Sequence, residues 1–229
     1  MPLGSWSSEQ IRNAVDSSLM LTWSPGKARY GIPIITHGDG VYLFDDKGKK
    51  YLDWTSQAVC SNMGYNIPDT VIDATMSQMK NLPYVYGGLG ISEIRARLSK
   101  LMTELLPGDL QGMVFPSSGS ESNEAAITIA RRHTGKFKVM NWYRSYHGGT
   151  TNSQQATGDF RRWMGGDYVP GFVKTFNPYP LFWDFGGTTQ EEKTQMALNM
   201  LEEQILNEGP DTIALIQFES VGKFQRNCF

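Results

Sequence analysis

The run Thr212-Ile213-Ala214-Leu215-Ile216-Gln217-Phe218 constrains the fold more than any other stretch. Its apolar residues follow one another without alternation, as in a strand buried on both faces, and such strands belong to parallel sheets covered by helices. The preceding segment supplies a helix: Thr189-x-x-Glu192 has capping-box spacing, Ala197, Met200, Leu201 and Ile205 form a stripe, and Gly209-Pro210 closes it. Further strand candidates lie at Met113–Phe115, Lys136–Asn141 and Phe172–Phe176, and helical patterns separate them. Strands alternating with helices predict an α/β fold with a mainly parallel sheet flanked by helices.

The first part of the chain reads differently. Trp6, Ile11, Val15, Leu19 and Trp23 predict a short amphipathic helix ended by Pro25-Gly26. Val41–Phe44 and Tyr51–Trp54 flank the turn Asp45-Asp46-Lys47-Gly48 and predict a two-stranded hairpin, followed by a mixed loop from Thr55 to Tyr65. Pro68-Asp69 opens a helix carrying Ile72, Met76 and Met79; Ile91, Ile94, Leu98, Leu101 and Leu105 define another, ended by Pro107-Gly108. A boundary near Tyr65 divides the chain into residues 1–64, an N-terminal segment, and residues 65–229, the first part of a large α/β domain.

Charge excludes some functions. The net charge is -2, and Lys47, Lys49 and Lys50 are balanced by Asp45 and Asp46 at a turn, so no basic face for nucleic acid is evident. No apolar run approaches the ~18 residues of a membrane helix. Cys60 and Cys228 do not form a disulfide framework, and His37, His133 and His147 lack metal spacing. A cytoplasmic, reducing compartment is the expectation, and a mitochondrial one is compatible with it.

The chemistry centres on Phe115–Ala126 (FPSSGSESNEAA). Ser118 and Glu121 have capping-box spacing, so small residues open a helix here. First-turn N–H groups and the helix dipole favour an anion, which points to a phosphate on Ser118, Gly119 and Ser120. No lysine follows in the manner of a P-loop, and neither G-x-G-x-x-G nor G-x-S-x-G occurs. Ser118–Ser120, Tyr146-His147 and Glu219 each follow a strand candidate, and ligands of open α/β sheets bind at the carboxyl ends of strands. These residues are therefore expected to share one crevice.

Taken together, the motifs resemble the class III aminotransferases, pyridoxal-phosphate enzymes of fold type I. The resemblance rests on Asp39–Asp45 through Tyr51–Asp53, on Leu106-Pro107-Gly108 before Phe115–Ala126, on Tyr143–Gly148 (YRSYHG), and on Glu219-Ser220-Val221 after the apolar strand. It implies pyridoxal 5'-phosphate as cofactor, with its phosphate on Ser118, Gly119 and Ser120, Tyr146 stacked on its ring and Glu219 at its edge. His147 would stand behind these groups, and Glu121 and Asn123 would shape the helix start. Trp54, Val59 and Tyr86 would line the substrate pocket. The substrates would be an amino donor (an amine or ω-amino acid) and a keto-acid acceptor, and the full-length protein would be a homodimer. Arg161 and Arg162 are candidates for a substrate carboxylate, with ordinary surface arginine as the simpler assignment. Gly64-Tyr65 departs from the family's Gly-His.

In the family the Schiff-base lysine and the carboxylate facing the pyridine nitrogen follow the Glu-x-Val motif at a distance. Here only Gly222–Phe229 follow it, and Lys223 does not sit in a matching context. The resemblance thus assigns no catalytic lysine within these residues, and the chain reads as a truncated portion. Two alternatives accompany this reading: a non-catalytic remnant, and a different phosphate-binding α/β protein.

Overall fold

The computed structural model describes residues 5–21, 31–163, 165–166, 168–179 and 183–219, except for the side chain of Val59. The chain forms two compact units, divided between Arg97 and Leu98.

In the first unit, α1 (Ser8–Ser18) begins at a capping box in which Ser7 and Gln10 bond each other's backbone N–H. Trp23 and Pro25-Gly26, expected in and after this helix, lie outside the described residues. The hairpin gains a strand over the expectation: β1 (Ile35–Asp39), β2 (Tyr42–Asp45) and β3 (Lys50–Leu52) form an antiparallel sheet in that order. The added strand is polar (ITHGD), which hid it in the sequence, and Gly40 supplies the left-handed φ of 58° that turns it into β2. The second turn is set by Asp45, whose carboxylate accepts from Lys47 N (2.9 Å), Lys49 N (2.8 Å) and the Tyr51 hydroxyl (2.8 Å). The following loop contains a short turn, α2 (Ser56–Val59), with left-handed φ at Ser56, Gln57 and Ala58. Tyr65 ties this loop to the hairpin: its N–H donates to Gly40 O (2.8 Å) and its hydroxyl to Asp53 Oδ2 (2.6 Å). The helices α3 (Asp69–Asn81) and α4 (Glu93–Leu105) follow, and the unit division falls within α4.

In the second unit, β4 (Lys138–Trp142) lies between β5 (Phe172–Thr175) and β6 (Ile213–Gln217), and both pairings are parallel. The helices are α5 (Gly119–Thr134), α6 (Thr151–Ala156) and α7 (Gln190–Glu208). α7 starts at the expected Thr189/Glu192 capping box. Ile127 of α5, Val139 of β4 and Ala156 of α6 form the core, with Phe172 and Leu215 packed against it. The fold is α/β with a parallel sheet, as expected. Two local expectations are corrected. Met113–Phe115 forms no strand, because no described strand pairs with it and Pro116 removes a donor. β6 is an edge strand among the described residues and is only half-buried, with Ile216 exposed.

Candidate functional site

The candidate site lies in the second unit and begins at the N-terminus of α5. Ser118 is the N-cap: its backbone is extended, and its hydroxyl accepts from Glu121 N (3.3 Å). Glu121 reaches back to Ser117 N (2.6 Å), one residue before the expected capping-box partner. The first-turn N–H groups of Gly119 and Ser120 have no acceptor within the helix. A Cβ built at Gly119 would meet nothing within 4 Å, so the approach to these donors is open. The Ser120 hydroxyl accepts from Gly149 N (3.2 Å), which joins the helix start to the loop after β4.

That loop is packed too tightly for side chains at two positions. Gly148 has φ 138°, and a Cβ there would lie 2.3 Å from Ser120 Oγ and 2.5 Å from Ser153 Oγ. A Cβ at Gly158 would lie 1.9 Å from Trp142 O. Between them, Ser145 O accepts from Gly158 N (2.9 Å) and Asp159 N (3.1 Å), and His147 N donates to Thr157 Oγ1 (3.0 Å). Tyr146 is thus held by bonds to the residues on both sides of it, while the residue remains 37% exposed.

Helix α6, which spans the base of this loop, is held at both ends. Glu124 accepts at its start from Thr150 Oγ1 (2.7 Å), Asn152 N (2.8 Å), Asn152 Nδ2 (2.7 Å) and Ser153 N (3.2 Å). Burial pushes the Glu124 carboxyl up, but these hydrogen bonds outweigh it and leave the group below the usual carboxylate range. At the other end Lys174 Nζ donates to Gln155 O and to Asn141 Oδ1 (3.1 Å), and Asn141 Nδ2 donates to Ala156 O. An ammonium at carbonyls of the last turn suits the helix dipole.

His147 is buried beside these groups, and its proton can be placed by tracing the hydrogen bonds. Its backbone carbonyl can only accept, so Asn123 presents Nδ2 to it (2.5 Å). Asn123 Oδ1 is then an acceptor and takes Nε2 of Gln217. That same Nε2 lies 3.1 Å from His147 Nδ1, which must therefore accept. The ring proton sits on Nε2, facing Glu219 Oε1 at 3.7 Å. Burial first, and the Lys174 ammonium second, lower the His147 pKa to about 4, against an opposing pull from Asp159. The imidazole is neutral at pH 7, so its approach to Glu219 is not an ion pair. Burial raises the Glu219 carboxyl above the usual range, opposed by hydrogen bonds from its own backbone and that of Tyr146.

The structure therefore connects Ser118–Ser120, Tyr146 and Glu219 through Gly149 and His147. Trp54 and Tyr86 belong to the first unit, where both side chains are exposed. Ser220, Val221 and Lys223 lie outside the described residues. Sequence reasoning gave Asn123 only a helix-start role, and did not single out Gln217, Thr157, Asp159 or Lys174. One signal was available: Gln217 is the only amide in the TIALIQF run.

The profile of the family described as Aminotransferase class-III matches residues 26–222. An acetylornithine aminotransferase of Listeria innocua is 33% identical over 179 residues, covering 78% of this chain and 44% of that protein. The structure of a taurine:2-oxoglutarate aminotransferase from Bifidobacterium kashiwanohense, in complex with PLP and glutamate, is similar with a TM-score of 0.85 at 34% identity. It covers 96% of this chain and 49% of that one. A thermostable (S)-enantioselective omega-transaminase from Thermomicrobium roseum gives 0.85 at 30% identity, covering 93% and 49%. The chain belongs to the class III aminotransferases, and it spans about half the length of the relatives it matches. The fold is type I of the pyridoxal-phosphate enzymes, and pyridoxal 5'-phosphate is the cofactor that goes with this family. The residues present fit that group. Open first-turn donors suit a phosphate, a partly exposed tyrosine suits a pyridine ring, and His147 Nε2 and Gln217 Oε1 are buried without hydrogen-bond partners among the described residues.

Proposed function

We propose that this chain supplies the cofactor-phosphate and ring-support half of an aminotransferase that moves an amino group from an amine or ω-amino acid to a keto acid. The observation that carries this reading is the junction of the α5 N-terminus with the Tyr146–His147–Glu219 cluster through the Ser120–Gly149 hydrogen bond. Pyridoxal phosphate, when bound, supplies an electron sink that acidifies the C–H next to the donor's amine. The N–H groups of Gly119 and Ser120 hold the phosphate, aided by the Ser118 and Ser120 hydroxyls. Tyr146 fixes the plane of the ring, and Glu219 lies at the ring's edge with neutral His147 behind it. Trp54, Val59 and Tyr86 line the substrate pocket, and residues 1–64 and 65–229 are the family's N-terminal segment and first large-domain portion. The whole protein is proposed to be a homodimer in a cytoplasmic or mitochondrial compartment; no described helix is long and apolar enough to cross a membrane.

None of the residues given matches the family's Schiff-base lysine, so this chain alone is proposed to bind the cofactor without turnover. The test is titration with pyridoxal phosphate, followed by borohydride reduction, lysine mapping by mass spectrometry, and assay with taurine, β-alanine, γ-aminobutyrate or N-acetylornithine and a keto acid. Saturable binding without one specifically labelled lysine supports the reading. Labelling at a single lysine with turnover would show a complete enzyme, and preference for a nucleotide would reject the cofactor assignment.

A further inference from the structure

Arg161 stands out because it touches the residue that the cofactor reading assigns to the pyridine ring. Its guanidinium carbon lies 4.0 Å from the centroid of the Tyr146 ring, in the range of a cation–π contact. Asp159, itself 8% exposed, anchors the guanidinium. Asp159 Oδ1 accepts from Arg161 N (2.9 Å), and Oδ2 accepts from Arg161 Nε (2.7 Å) and from a terminal guanidinium nitrogen. The Asp159 backbone N–H in turn donates to Ser145 O, one residue before Tyr146. Asp159 thus holds the backbone just before Tyr146, and the Arg161 it anchors meets the Tyr146 ring.

We infer that Arg161, held by Asp159, is a positioning residue that braces one face of the Tyr146 ring so that the other face receives the cofactor's pyridine. Two guanidinium nitrogens converge on one oxygen of a buried carboxylate, and the guanidinium lies over the aromatic face. This arrangement differs from both sequence-based assignments of Arg161, a reader of substrate carboxylate and a plain surface arginine. The inference rests on the proposed cofactor site.

The experiment compares pyridoxal phosphate with inorganic phosphate, which needs the helix N-terminus but no ring support. Binding of each to the purified chain is measured by titration calorimetry for the natural sequence, Arg161→Met, Arg161→Lys and Asp159→Asn, with thermal melts confirming the folded state. Arg161→Met should weaken pyridoxal phosphate about fivefold and leave inorganic phosphate unchanged. Arg161→Lys, which keeps a cation for the ring, should fall between Arg161→Met and the natural chain, and it serves in place of Arg161→Met if that variant does not fold. Asp159→Asn should reproduce part of the loss by loosening the guanidinium. If Arg161→Met binds pyridoxal phosphate unchanged, Arg161 is not a brace. If it binds more tightly, the guanidinium occupies the cofactor's own face. Either result overturns the inference. A natural chain that binds pyridoxal phosphate no better than inorganic phosphate would instead reject the cofactor reading on which it rests.

Discussion

The phosphate end and the ring end of the candidate site are built by different means. At Ser118–Ser120 the proposed recognition groups are backbone N–H donors oriented by helix geometry, with Ser118 and Gly119 exposed and Ser120 half-buried. Around Tyr146 they are side chains held by a network of buried His147, Thr157 and Asp159 with half-buried Asn123 and Gln217. A backbone site survives most side-chain changes, because every residue carries the same donor. A side-chain network does not, because each removal strands a buried partner. Substitutions at the ring end should therefore cost much more than substitutions at the phosphate end.

The largest effect should come from Gly158→Ala. Its Cβ would lie 1.9 Å from a backbone oxygen, so the loop or β4 must move. We expect destabilisation of about 3 kcal/mol or more. Urea denaturation measures it, and an unchanged midpoint would show that Gly158 is not packed tightly against Trp142 O.

The next effect is a pH dependence. His147 titrates near 6.5 when unfolded and at about 4 when folded, so the unfolded state binds more protons between these values. Stability from this residue is complete above pH 6.5 and is lost as pH falls towards 4, by up to about 3 kcal/mol. Glu219 acts with the opposite sign: its raised folded pKa gives stability that is present below 4.5 and is lost as pH rises. Thermal melts at pH 7 and pH 5 should show a smaller difference for His147→Asn than for the natural chain. Equal differences would show that His147 is not buried as a neutral ring.

Asn123→Ala follows, at about 2 kcal/mol, because it leaves the His147 carbonyl and the Gln217 amide without Asn123 as a partner. Chemical denaturation of Asn123→Ala beside Asn123→Asp separates loss of the donor from loss of the side chain. A cost below that of a surface substitution would contradict the network.

The smallest effect belongs to the phosphate end. Ser118→Ala removes one N-cap bond and should cost about 1 kcal/mol, and Ser118→Gly only a few tenths. If Ser118→Ala were as damaging as Asn123→Ala, the contrast between the two ends would fail.

The same contrast decides what was legible in the sequence. Ser118-x-x-Glu121 announces a helix start, since a cap is a local motif read over four residues. The TIALIQF run and the Thr189/Glu192 cap mark β6 and α7 for the same reason. The His147–Gln217–Asn123 chain joins residues far apart in sequence, and no local pattern encodes such pairing. β1 was hidden because ITHGD lacks apolar alternation and is recruited by β2 next to it. Met113–Phe115 erred in the other direction: its apolar character suggested a strand, but a strand requires a neighbour to bond. Tyr65, in place of the family's His, reads only as a departure until its hydroxyl is seen on Asp53.

One ligand is proposed to span both ends, with its phosphate on Gly119 and Ser120 and its ring on Tyr146. Amide chemical shifts of the ¹⁵N-labelled chain, followed during titration with pyridoxal phosphate and separately with inorganic phosphate, test it most directly. Both ligands should shift the Gly119 and Ser120 amides, and only pyridoxal phosphate should also shift Tyr146, His147 and Gly149. Perturbation of Tyr146 without Gly119 and Ser120, or no perturbation at either end, would contradict it.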